Sequence, residues 1–169
     1  ARVARGIMLN IQTRDGALTN LGYSYTQVNS SSTTGIPATL TDYDVVFYAG
    51  VPSTGAEQTQ LIAYMDAGGY LLVADNDFGY SDRTHVIYTT YFQASYVSDS
   101  GSDGVITGVD IMSGINPNIS VDPYPDDFTL NGPDAVGVFE APSGNWAGSV
   151  VDTGTYKTIY FAWDYDNIG

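Results

Sequence analysis

Between Asp42 and Asp77 the apolar and polar positions fall into three blocks. Asp44 to Ala49 is a short apolar run, the mark of a strand buried on both faces. Thr54-Gly55-Ala56-Glu57 fits a capping box, in which a hydroxyl and a carboxylate satisfy the first free amides of a helix. Leu61, Ile62 and Met65 then share one helical face, and Gly68-Gly69 stops the helix, because glycine accepts the left-handed cap. Tyr70 to Ala74 is a second apolar run. Strand, helix and strand in this order predict two parallel strands joined by a right-handed crossover.

The same pattern extends to both sides. Gly6 to Ile11 and Tyr23 to Val28 read as strands, with a short helix capped by Asp15 and closed by Gly22 between them. Ser30 to Thr34 is a polar loop. Asn76 to Arg83 reads as a loop and Thr84 to Ala94 as a helix, with Tyr88, Tyr91 and Phe92 on its core side. Val105 to Ile111 is a short strand, Ser113 to Asp127 is irregular and proline-rich, and Phe128 to Val151 holds short strands broken by glycines. Thr158 to Trp163 is a final buried strand. The expected fold is α/β: an open, mostly parallel, flavodoxin-like or amidotransferase-like sheet flanked by helices, with a β-rich insertion in the C-terminal half. Residues 1–169 read as a single domain.

Composition narrows the function. Seventeen aspartates and two glutamates face four arginines and one lysine, for a net charge of -14. That charge repels nucleic acid and suits a salty or calcium-containing exterior. There is no cysteine, which removes disulfides, thiolate metal sites and a cysteine nucleophile. No apolar run is long enough to span a membrane. The start at Ala1 is expected to follow removal of an upstream segment, and the richness in Tyr, Gly, Ser and Thr suits an extracellular or cell-surface protein. Asn29 and Asn118 begin Asn-X-Ser sequons.

Taken together, ALTNLGYSYTQV, DYDVVFYAG, AEQTQLIAYMDAGGYLLVADND, TYFQASYVSD, VITGVD, LNGPDA and YKTIYFAWDYD resemble the class I glutamine-amidotransferase-like accessory domains of secreted multidomain proteins. Such domains often accompany subtilisin-like or immune-inhibitor-type peptidases. Catalytic relatives carry a nucleophile on the turn after a central strand. Here that turn is Val73-Ala74-Asp75-Asn76-Asp77, and the accessory domains resembled also lack the nucleophile. The resemblance therefore implies a non-catalytic role. It also implies a terminal helix packed on the sheet, which a chain ending at Gly169 is expected to lack.

Few residues offer chemistry. His85 is the only histidine, and no G-x-S-x-G elbow surrounds Ser81, so a helix-start role is expected. Asp122, Asp126 and Asp127 read as loop and turn formers. Asp75 and Asp77 follow one predicted strand and Asp164 and Asp166 another, with Asn10 and Asp15 near the end of the first. In a parallel sheet all of these emerge at the carboxyl edge, where hard oxygen ligands suit Ca²⁺; helix capping and solvation explain the same aspartates. No other cofactor is expected. The expected function is a non-catalytic interaction or structural domain of a larger secreted or cell-surface assembly, with adjoining domains or neighbouring subunits, a homo-oligomer included, as partners. Three alternatives remain: an accessory part of a secreted peptidase, a carbohydrate-binding module using Trp146 and exposed tyrosines, and a self-assembling surface-layer or filament subunit.

Overall fold

A computed structural model describes residues 5–9, 24–28, 36–52 and 55–164. Its centre is a ten-stranded sheet in which the order β2-β1-β3-β4-β10-β9-β7-β5 forms the main path. The strands are β1 (Arg5–Leu9), β2 (Ser24–Val28), β3 (Val45–Ala49), β4 (Tyr70–Ala74), β5 (Ala94–Ser98), β6 (Thr107–Gly108), β7 (Asp127–Leu130), β8 (Ala135–Glu140), β9 (Trp146–Asp152) and β10 (Lys157–Phe161). β1, β2, β3, β4 and β10 run parallel. Beyond β10 every pairing is antiparallel. The sheet is therefore mixed, not mostly parallel. The β-rich segment, β5 to β9, falls in sequence between β4 and β10, which pair directly, and it extends the same sheet across β10.

The crossover from β3 to β4 is helix α1 (Gly55–Asp66), and β3 and β4 are parallel as the sequence predicts. Leu61, Tyr64 and Met65 of α1 are buried against the sheet, and Ile62 is half-buried. Gly68, at φ +92°, closes the helix with its N–H on the Met65 carbonyl. Gly69 has a different task. A Cβ there would lie 2.4 Å from the Tyr64 ring, whose hydroxyl bonds the Tyr43 carbonyl and the Tyr70 backbone. One side chain thus ties the helix to the starts of both β3 and β4. Thr54 of the expected capping box lies outside the described residues.

The segment after β4 departs from expectation. The predicted loop at 76–83 contains the short helix α2 (Phe78–Asp82), and the predicted helix at 84–94 is a single π-type turn, Ile87–Tyr91, running into β5. Tyr88 and Phe92 are core residues, while Tyr91 is half-buried. The predicted strand at 105–111 shrinks to β6 followed by a 3-10 turn, Asp110–Met112.

Two apolar clusters follow from the period of two along the strands. On one face Val46, Tyr48, Leu71, Val73 and Tyr160 pack with α1 and with Phe78, Ile87, Tyr88 and Phe92. Phe78 meets Tyr88, Phe92 and Tyr160 edge-on at 5.3, 5.4 and 5.5 Å between ring centres. The neighbours in sequence of Tyr160 and Ala162 point the other way: Phe161 and Trp163 stack at 4.8 Å and join Phe139, Val138, Ile106 and Ile119.

Candidate functional site at the carboxyl edge

β4 ends at Ala74, and the Asp75 N–H continues its ladder to the Phe161 carbonyl at 3.1 Å. The Asp75 carboxylate turns back to accept the Asp77 N–H at 2.7 Å, an Asx turn that starts α2. Asn76 donates to Asp122 Oδ1 at 2.7 Å, and the Asp164 N–H donates to Asp122 Oδ2 at 2.7 Å. Asp122 therefore joins the ends of β4 and β10. Asp75, Asn76 and Asp122 are buried, Asp164 is half-buried and Asp77 is exposed. Burial pushes the Asp75 carboxyl up to about 7, helped by the charges of Asp164 and Asp77.

Asp126 lies deeper. Its backbone N–H bonds the Ala162 carbonyl at 2.9 Å and its carbonyl accepts the Ser102 hydroxyl at 2.6 Å. Its Oδ2 takes the Tyr80 N–H at 3.1 Å, while Oδ1 has no hydrogen-bond donor among the described residues. Burial pushes this carboxyl up to about 8, and Asp99 and Asp77 add to the effect. Gly79 makes the arrangement fit: a Cβ there would sit 2.7 Å from Asp126 Oδ2, 2.8 Å from the Tyr88 hydroxyl and 3.3 Å from the Tyr160 hydroxyl. Among the described residues neither phenol finds a hydrogen bond of regular geometry, and burial raises both well above the ordinary tyrosine range. Asp127 is satisfied by contrast. It accepts from Ser98 N and Oγ at 3.0 and 2.8 Å, and from Ser143 Oγ and Asn145 Nδ2 at 2.6 Å each.

The structure thus brings Asp75, Asp77 and Asp164 to one edge, as the sequence predicts; Asn10, Asp15 and Asp166 lie outside the described residues. Among the described residues no three acidic or histidine side chains converge as metal ligands. Asp122, Asp126 and Asp127 do bond backbone amides, as turn formers do, but they are buried, which the sequence reading missed. The signal available was D-P-Y-P-D-D, where each proline lacks an N–H and fixes φ, which keeps these aspartates in an irregular, bent segment rather than a helix or ladder until β7 begins. His85 is half-buried and its Nδ1 accepts the Ile87 N–H at 3.2 Å, a local structural task at the π-type turn. Trp146 is half-buried with its indole over Gly137, so it does not head an exposed aromatic row. Asn118 is exposed and its Oδ1 accepts the Ser120 N–H; Asn29 lies outside the described residues.

A ThuA-like protein from Bacteroides uniformis superposes with a TM-score of 0.65 at 12% identity, covering 100% of this chain and 84% of that one. A glutamine amidotransferase from Thermotoga maritima gives 0.56 at 9% identity, over 96% of this chain and 76% of its own. The fold is amidotransferase-like. A cold-adapted β-galactosidase from Rahnella superposes at 0.68 and 14% identity, over 96% of this chain but 29% of its own length, so there the fold is one part of a longer chain. No known family matches the chain by sequence, and no curated protein does. On this fold, the turn after β4 carries Asp75-Asn76-Asp77, and the whole chain has no cysteine.

Proposed function

We propose that this is a non-catalytic interaction or structural domain of a larger secreted or cell-surface protein or assembly, and that it docks through an open face of its sheet. One observation carries the reading. Strand register aligns Val136, Val150, Ile159, Leu72 and Phe47 as a single apolar row across β8, β9, β10, β4 and β3. The sequence predicts β3, β4 and β10 as buried strands, yet along them buried residues largely alternate with less buried ones. Val150, Ile159, Leu72 and Phe47 are half-buried, Val136 is 48% exposed, and Tyr70 beside them 43%. The row borders a half-open cavity of about 430 Å³, and among the described residues lining it only Ile111 lies off a strand. Contiguous exposed apolar surface of this kind marks sites of association. The acidic composition, the missing nucleophile and the occurrence of the fold within a longer galactosidase support the same reading.

Two measurements test it. The native chain is expected to bind a hydrophobic dye, and Ile159→Lys to reduce that binding several-fold. Amidase, esterase, peptidase and glycosidase substrates should all stay at background. Dye binding untouched by Ile159→Lys refutes the docking face, and turnover abolished by Asp75→Asn refutes the non-catalytic role.

A further inference from the structure

Resting on that reading of the open face, we infer that its occupant is a basic amphipathic helix presented by a partner protein or an adjoining domain. Backbone chemistry comes first. The row lies in the interior of the sheet, where β3, β4, β10 and β9 already pair on both sides. An extended peptide laid across it finds no free backbone donors or acceptors, and its own would be buried unpaired. A helix satisfies its backbone internally and needs only an apolar stripe.

Charge chooses among helices and against a second copy. Lys157, the one cation among the described residues lining the cavity, is already paired with Asp152 and lies 5.8 Å from the centre of the Tyr70 ring. Asp110 stands beside Ile111 at the margin, exposed and with no cation paired to it among the described residues. The chain carries a net -14, so a second copy would bring an equal negative field and the same acidic margins to the contact. A helix with lysine or arginine flanking its apolar stripe meets both the row and its surroundings.

The probes are two synthetic helical peptides with leucine at the i, i+3, i+4 and i+7 positions, one filled with lysine and the other with glutamate. Fluorescence anisotropy with the full chain in about 0.15 M salt should show the lysine peptide binding at least roughly tenfold more tightly. Ile159→Lys and the charge-neutral Leu72→Ser should each weaken that binding several-fold; the second separates loss of the apolar row from a change of charge. Equal binding of the two peptides, both sensitive to Leu72→Ser, overturns the basic character and leaves the docking face standing. A wild-type homodimer that Leu72→Ser dissociates overturns the helix in favour of a second copy. Lysine-peptide binding unchanged in both variants, with no dye bound, overturns the docking face and this inference with it.

Discussion

A carboxyl group inside a protein must be paired, bonded or protonated; Asp75 and Asp126 each accept one backbone amide, and burial raises the proton affinity of both. Their folded-state affinities, about 7 and about 8, stand above the ordinary aspartate value of 3.8. Between about pH 4 and those values the folded chain holds protons that the unfolded chain has released. Their contribution to stability is therefore full below about pH 4 and is lost as pH rises through 7 to 8. Asp75→Asn and Asp126→Asn keep an oxygen for the Asp77 and Tyr80 amides while removing the charge. Each is expected to stabilise the chain by roughly 2–4 kcal/mol at pH 8 and to change little at pH 3. Denaturant melts at the two pH values check this, and a loss of stability at pH 8 would show that the charged forms are needed. Asp75 was legible as a strand-end residue in the sequence. Asp126 was not, because its burial depends on Gly79 and on phenols 9 and 81 residues further along the chain from that glycine.

Elements with a clear period and good stop signals were legible: α1, its glycine stop and the two parallel strands around it. The stretch H-V-I-Y-T-T-Y was not. Its aromatic spacing suits a helix, but its β-branched residues and the pull of β5 on the sheet leave one π-type turn. β7 was visible only as part of a broken region, and its own ladder explains why. It meets β9 through the single pair Phe128 and Trp146, and its ladder to β5 shifts register beside Asp127. The Asp127 carboxylate supplies the missing linkage, taking donors from β5 and from the turn between β8 and β9. Asp127→Ala leaves those donors without their acceptor and should cost on the order of 3 kcal/mol, with amide exchange rising first in β5 and β7. Asp127→Asn should cost less, since it keeps one acceptor oxygen. Equal stability of Asp127→Ala and the native chain would show that water replaces the carboxylate freely.

At the scale of the whole molecule, the sequence's expectation of an α/β sheet with Asp75, Asp77 and Asp164 following the ends of adjacent strands holds in outline. Its expectation of a mostly parallel sheet fails, because short strands with glycine turns read alike whether they form a separate insertion or join the main sheet. The net charge acts at this scale too. A chain carrying -14 repels itself, so sodium chloride should raise its melting temperature by screening alone. The proposal of Ca²⁺ at Asp75, Asp77, Asp164 and Asp166 asks for more than screening. Calcium at the same ionic strength must then raise the melting temperature further, by an amount that grows with its concentration as binding to the native state alone requires. The increment should vanish in the Asp75→Asn, Asp164→Asn double variant, which keeps the turn's oxygen acceptors. It should also shrink below pH 7, where Asp75 takes up its proton and ceases to be a ligand. Superimposable melts in calcium and sodium chloride would assign the stabilisation to screening and leave these aspartates as caps and tethers of the sheet's carboxyl edge.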